Sequence, residues 1–194
     1  SIPITKGILT SGEIERKDYL EKLTDFWTVN HSELVKDRII DDQALVIEIA
    51  DKGLFIITGC AHSGIINTLK HAQQMMGNNR IHAILGGFHL ATENNNRIKA
   101  TINELSKFDP AFIWPGHCTG SKPFRLLKAA FGKRCQRLHT GILSVSRGQC
   151  EARGLRVRVC TRTSASARAP RECLARSVRR DAERRRVAGH RRSP

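Results

Sequence analysis

Three apolar runs in this chain stop on a histidine held among small residues: ITGCAHSG at 57–64 on His62, AILGGFHL at 83–90 on His89, and AFIWPGHCTG at 111–120 on His117. Each run is short enough for a strand, each loop contains glycine, and each is followed by a segment whose apolar residues fall at helical spacing. A chain that repeats strand, loop and helix in this way is confined to a layered α/β architecture, and helical bundles and pure β sandwiches are excluded.

Ahead of the first loop, QALVIEIA at 43–50 and GLFIIT at 53–58 flank Asp51-Lys52-Gly53, a turn signal that predicts a hairpin. After His62, the residues Ile65, Ile66, Leu69, Ala72 and Met76 share one helical face, with Ser63 as the expected N-cap and Gly77 as the stop. IHAILGG at 81–87 predicts the next strand, and 94–107 the next helix, with Ile98, Ile102 and Leu105 on one side. AFIW at 111–114 predicts a third strand whose Trp114 is expected to pack beneath the last histidine loop. A helix follows from Ser121 to Phe131, with Pro123 in its first turn and Gly132 beyond its end. Residues 1–42 are less regular, and SGEIERKDYLEKL reads as a loop leading into a short helix.

Loops leaving the carboxyl ends of the strands line the binding crevice of an open α/β sheet. His62, His89 and His117 all fall there. A single strand-end histidine is more often a hydrogen-bonded structural residue, but three in matching positions form a candidate metal-ligand set, because imidazole nitrogen suits zinc and other borderline divalent ions. His31, His71, His82 and His139 lack the pattern and read as surface or structural residues. Cys60 and Cys118 adjoin the candidates and can supply thiolates, although small buried residues are the favoured reading. Asp41 and Asp42 either orient a ligand or cap a turn, with the structural role preferred. The six cysteines contain no CxxC pair, so neither a zinc ribbon nor a small disulfide scaffold is indicated.

Charge divides the chain. Residues 145–194 carry fifteen arginines, no lysine and four acidic residues, a net of +11, against +4 for residues 1–144. The same tail lacks Phe, Tyr, Met, Ile, Asn and Lys, as a GC-rich stretch read out of frame would, and it has no apolar periodicity. The expected division is therefore a folded region at 1–144 and a disordered Arg-rich extension at 145–194, arising from a frameshift or fusion. The competing reading makes the arginines a phosphate-neutralising arm for non-specific nucleic acid. No run of 18 apolar residues and no secretory signal is present, so no membrane partner and a cytoplasmic location are expected.

GCAHSGIINTL, ILGGFHL and PGHCTG, with TSGEIER at 10–16 and DDQALVIE at 41–48, resemble the C-terminal half of metallo-β-lactamase-fold metallohydrolases. The resemblance is closest to the dihydropterin ribofuranosylaminobenzene phosphate synthase-like branch and runs from residue 1 to about Gly141. It implies part of an αββα sandwich with one or two divalent metals, zinc above all, with iron or manganese as alternatives. It also implies a metal-bound hydroxide that attacks an ester or phosphoester-type centre in a small phosphorylated or pterin-like substrate. His62 and His117 match the histidines of the middle and last ligand motifs. His89 occupies the loop where the superfamily places a bridging aspartate, and is expected to serve as ligand or as the catalytic proton donor. The first ligand motif, His-x-His-x-Asp-His, does not occur in the sequence. The chain is accordingly expected to be a portion of a longer parent with half a metal site, or a non-functional remnant.

Overall fold

The computed structural model describes residues 1–21 and 26–139; the Arg-rich segment, and with it the readings of disorder and nucleic-acid binding, lies outside them. The elements in order are β1 (Pro3–Thr5), β2 (Ile8–Thr10), β3 (Trp27–Asn30), β4 (Glu33–Lys36), β5 (Ala44–Ile49), β6 (Gly53–Thr58), α1 (Ile65–Met76), β7 (Ile81–Gly87), α2 (Asn95–Lys107), β8 (Phe112–Gly116) and α3 (Ser121–Phe131). The predicted hairpin is β5 and β6, antiparallel from Ala44 opposite Thr58 to Ile49 opposite Gly53. The repeated strand-loop-helix units then add β7 and β8 in parallel, giving a six-stranded sheet in the order β1-β2-β5-β6-β7-β8.

Pleating sorts the side chains. Val46, Leu54, Ile56, Ile84 and Ile113 face one way and join Ile65, Ile66 and Leu69 of α1, Ile98 and Leu105 of α2, and Leu127 and Phe131 of α3 in one buried core. α1 ends at Gly77, which takes the left-handed conformation at φ 60° and bonds back to the last carbonyls of the helix. α2 is capped by Asn94, whose side chain accepts from Arg97 N at 2.9 Å.

Three local expectations are corrected. Ser63 does not cap α1: the N-cap is Gly64, without a side-chain bond, and the Ser63 hydroxyl accepts from Arg16 instead. Residues 11–21 hold no helix, while the end of the expected one, from 22, lies outside the described residues; the rest of 1–42 forms β1 and β2 at the sheet edge and the separate hairpin β3–β4. Trp114 does not pack beneath the histidine loop. It pairs in register with Leu85, so the pleat turns it to the face opposite the helices, where it stacks on Phe112 at 5.3 Å and meets Phe55 edge-on at 6.2 Å.

That second face also carries Leu45, Ile47, Phe55, Ile57, Leu85 and Phe112, each only half-buried. A contiguous apolar sheet face of this kind favours association. The double substitution Phe55→Thr and Ile57→Thr, which keeps β-branched residues in β6, is expected to lower binding of a hydrophobic dye several-fold and to reduce self-association in light scattering. Unchanged dye binding would show that the face is covered. Among the described residues, no helix is long and apolar enough to cross a membrane.

Candidate metal centre

The three histidine loops leave adjacent strands at the same edge of the sheet and are bonded to one another. Gly87 N donates to Gly59 O at 2.8 Å, Phe88 N to the Thr119 hydroxyl at 3.1 Å, and Ala91 N to Cys118 O at 3.2 Å. Each loop also holds a non-glycine residue in the left-handed region at or beside its histidine: Ala61 at φ 55°, His89 at 45° and His117 at 45°. Such backbone costs roughly 1–2 kcal/mol per residue and is kept where the surroundings enforce it.

The first loop is braced from the N-terminal region. Asp42 Oδ2 accepts from Ser63 N at 2.7 Å, and Arg16 joins Ser63 Oγ at 3.1 Å to Ile39 O at 2.9 Å. Asp42 therefore has the structural role favoured for it. The carboxylate of Glu21 supplies what Ser63 does not: Oε1 accepts from Ile66 N at 2.9 Å and Oε2 from Asn67 N at 2.6 Å, at the open N-terminus of α1. Burial pushes the Glu21 carboxyl up to about 7, against the lowering effect of those two bonds and of Arg97. Asn67 in turn accepts from Lys17 N and Asp18 N at 3.0 and 2.8 Å, fixing the segment that delivers Glu21.

Two of the three histidines meet. The His62 and His89 rings lie 4.4 Å apart between centroids, tilted by 53°. Phe26, the residue before β3, stacks on His62 at 4.8 Å with 14° between planes and touches His89 at 5.9 Å. His89 Nδ1 is buried with no hydrogen-bond partner among the described residues. Burial, and then the neighbouring His62, lower the pKa of His89 below the ordinary histidine value, against Glu93 and Asp42, so its imidazole is neutral at pH 7. His117 stands on the adjoining loop in a 3₁₀ turn, His117–Thr119, and is exposed; the ring contacts of the described residues do not include it. Among the described residues, no group of three or more His, Cys, Asp or Glu side chains is placed to hold a metal ion.

The thiol pair and the aromatic cover went unread in the sequence. Cys118 Sγ lies 3.4 Å from Cys60 O, and burial pushes its thiol up to about 11. Phe26 follows a segment with no periodic pattern, and only its place before the Trp27–Asn30 strand marks it. Thr119, directly after His117-Cys118, is fixed by a loop-to-loop bond that spacing does not encode.

The chain matches no family model. It is similar to the 7,8-dihydropterin-6-methyl-4-(beta-D-ribofuranosyl)-aminobenzene-5'-phosphate synthase of Methanocaldococcus jannaschii, with 35% identity over 144 residues, 72% of this chain and 49% of that protein. An uncharacterized protein of the same organism is 35% identical over 119 residues, 61% of this chain and 43% of that protein. A solved structure, described as a metal-dependent hydrolase of the beta-lactamase superfamily, superposes with a TM-score of 0.66 at 29% identity, over 74% of this chain and 55% of that one. The chain thus spans about half the length of the curated relatives it matches.

Proposed function

We propose, for a chain that shares its fold with metal-dependent hydrolases of the β-lactamase superfamily, that His62 and His89 contribute to a divalent-metal site acting on an ester or phosphoester-type small molecule. One observation carries this reading: two imidazoles in contact at the loop edge of the sheet, one with a buried and unpartnered Nδ1. Leaving such a nitrogen unpaired costs about 1–3 kcal/mol, which a bound ion recovers.

The donors present fit part of a metal site. A zinc site takes three or four protein ligands, and the described residues offer two touching imidazoles, with His117 on the neighbouring loop as the third candidate. Zinc suits this donor type best, with iron(II) or manganese as alternatives. A metal held here would supply Lewis acidity and a lowered pKa for water. The chain's own residues do the rest. His62 is held in place by the Asp42 and Arg16 bonds to the next residue, Ser63; Phe26 packs against both rings; and neutral His89 presents an unpartnered Nδ1. The name of the pterin-linked phosphate synthase supports a phosphorylated or pterin-like substrate class.

Zinc titration with a chromophoric competitor tests the site. His62→Ala and His89→Ala are each expected to weaken zinc binding at least tenfold, about 1.4 kcal/mol, whereas the exposed His31→Ala should leave it unchanged. Equal affinity in all four proteins would remove the metal reading. Hydrolysis of a chromogenic phosphodiester by the zinc-loaded chain then separates a hydrolase from a metal-binding relative without that activity.

A further inference from the structure

Cys60 and Cys118 belong to different loops, yet the Cys118 thiol reaches the Cys60 backbone where the first and third loops pass over Gly87. Cys118 Sγ donates to Cys60 O at 3.4 Å. Gly87 makes the space: a Cβ there would stand 2.6 Å from Cys118 Sγ, 2.8 Å from Gly59 O and 3.1 Å from Cys60 Cα. Both cysteines are free and half-buried, so reagents reach them, while the third free cysteine of the described residues, Cys135, is fully buried.

We propose that Cys60 and Cys118 form a reversible dithiol–disulfide site, oxidised by low-molecular-weight disulfides such as oxidised glutathione, which ties the His62 loop to the His117 loop. One thiol loses its proton and attacks a sulfur of the oxidised glutathione, releasing one reduced glutathione and leaving a mixed disulfide on the protein. The second thiol then attacks the protein sulfur of that mixed disulfide and releases the other reduced glutathione. The protein gives up two protons and two electrons, and the glutathione disulfide accepts both. Closure requires the Cys118 side chain to leave Cys60 O and bring the sulfurs to about 2.05 Å, at the expense of one weak hydrogen bond. The bridge does not depend on whether the histidines bind metal.

The full chain, incubated with oxidised glutathione, alkylated and digested with trypsin without reduction, gives the test. Cys60 lies in the tryptic peptide 53–70 and Cys118 in 108–125, since the Lys122-Pro123 bond resists cleavage. The expected product is these two peptides joined, two hydrogens lighter than their sum and separated by a reductant, with Cys135 recovered as an alkylated thiol. In Cys118→Ser the joined peptide should vanish and Cys60 should carry glutathione. Glutathione on both cysteines without the cross-link, a link from Cys60 to another cysteine, or two unmodified thiols in the wild-type chain would each overturn the proposal. The wild-type result stands even if the variant fails to fold.

Discussion

Gly86→Ala is expected to destabilise the fold by more than about 3 kcal/mol and to disrupt the loop edge of the sheet, measured as a fall in the urea midpoint at constant slope. Gly86 lies near the end of β7 at φ 135°, a conformation that side chains rarely adopt. A Cβ there would overlap the carbonyl oxygen and hydroxyl of Thr58, at the end of the neighbouring β6. Thr58 is no loose side chain: its hydroxyl donates to Gly87 O at 3.1 Å, across the same strand pair. Relief therefore requires β6 and β7 to part just where His62 and His89 are delivered. On a domain with roughly 5–15 kcal/mol of total stability, that loss populates unfolded chain. Gly59→Ala is the matched control, because it is exposed, has no positive φ and meets nothing within 4 Å, and its effect should stay within about 0.5 kcal/mol. If the two variants have equal midpoints, the close approach of β6 and β7 is not what the sequence protects with glycine.

Much of this edge was legible because it is local. The apolar runs, the glycines after them and the helical spacing beyond are encoded within about ten residues each, so the three units, the β5–β6 hairpin and the α3 bounds followed from pattern. His62 and His89 were placed together by the same logic, since β6 and β7 are neighbours in the sheet. What escaped is set by partners distant in sequence. Ser63 looked like an N-cap, but Arg16, 47 residues away, takes its hydroxyl, and Glu21 takes over the helix terminus from 45 residues away. Trp114 was assigned to the loop by proximity along the chain, whereas strand parity, fixed by its pairing with Leu85, sends it to the other face. The three-residue strands β1 and β2 were invisible because so short a run has no period, and the pairing of β2 with β5 and of β1 with β2 is what defines them.

Glu21 makes the second large effect, and it is one that pH reveals. Its side chain is 4% exposed, lies against Gly64 and accepts two backbone N–H groups of α1. The charged and titratable groups that act on it are Arg97 of α2, which favours the ionised form, and Asp18, which opposes it; Asp18 is itself paired with Lys70 of α1 at 2.6 Å. Burial outweighs the favourable contacts and raises the folded-state pKa from 4.5 to about 7. Between those two values the folded chain holds a proton that the unfolded chain has released, so stability falls as pH rises through that window. Below it both states are protonated and above it both are ionised, so the contribution is flat on either side. A shift of this size corresponds to about 3 kcal/mol lost between pH 4.5 and pH 7.5. Glu21→Gln keeps the shape and one acceptor oxygen but cannot ionise. The wild-type minus variant difference in unfolding free energy, measured by urea at successive pH values, should therefore decline by that amount across the window and be level outside it. Using the difference cancels the histidines that titrate in the same range, as well as Asp18, whose bonds from Lys70 and Leu20 N overcome its burial and hold its carboxyl below the ordinary value. Glu21→Ala goes further, stranding Ile66 N and Asn67 N beside a cavity next to Gly64, at a further cost, relative to Glu21→Gln, of about 3 kcal/mol at every pH. Parallel pH curves for wild type and Glu21→Gln would mean that the carboxyl ionises as freely in the folded chain as in the unfolded one, its two N–H bonds and Arg97 offsetting the whole effect of burial.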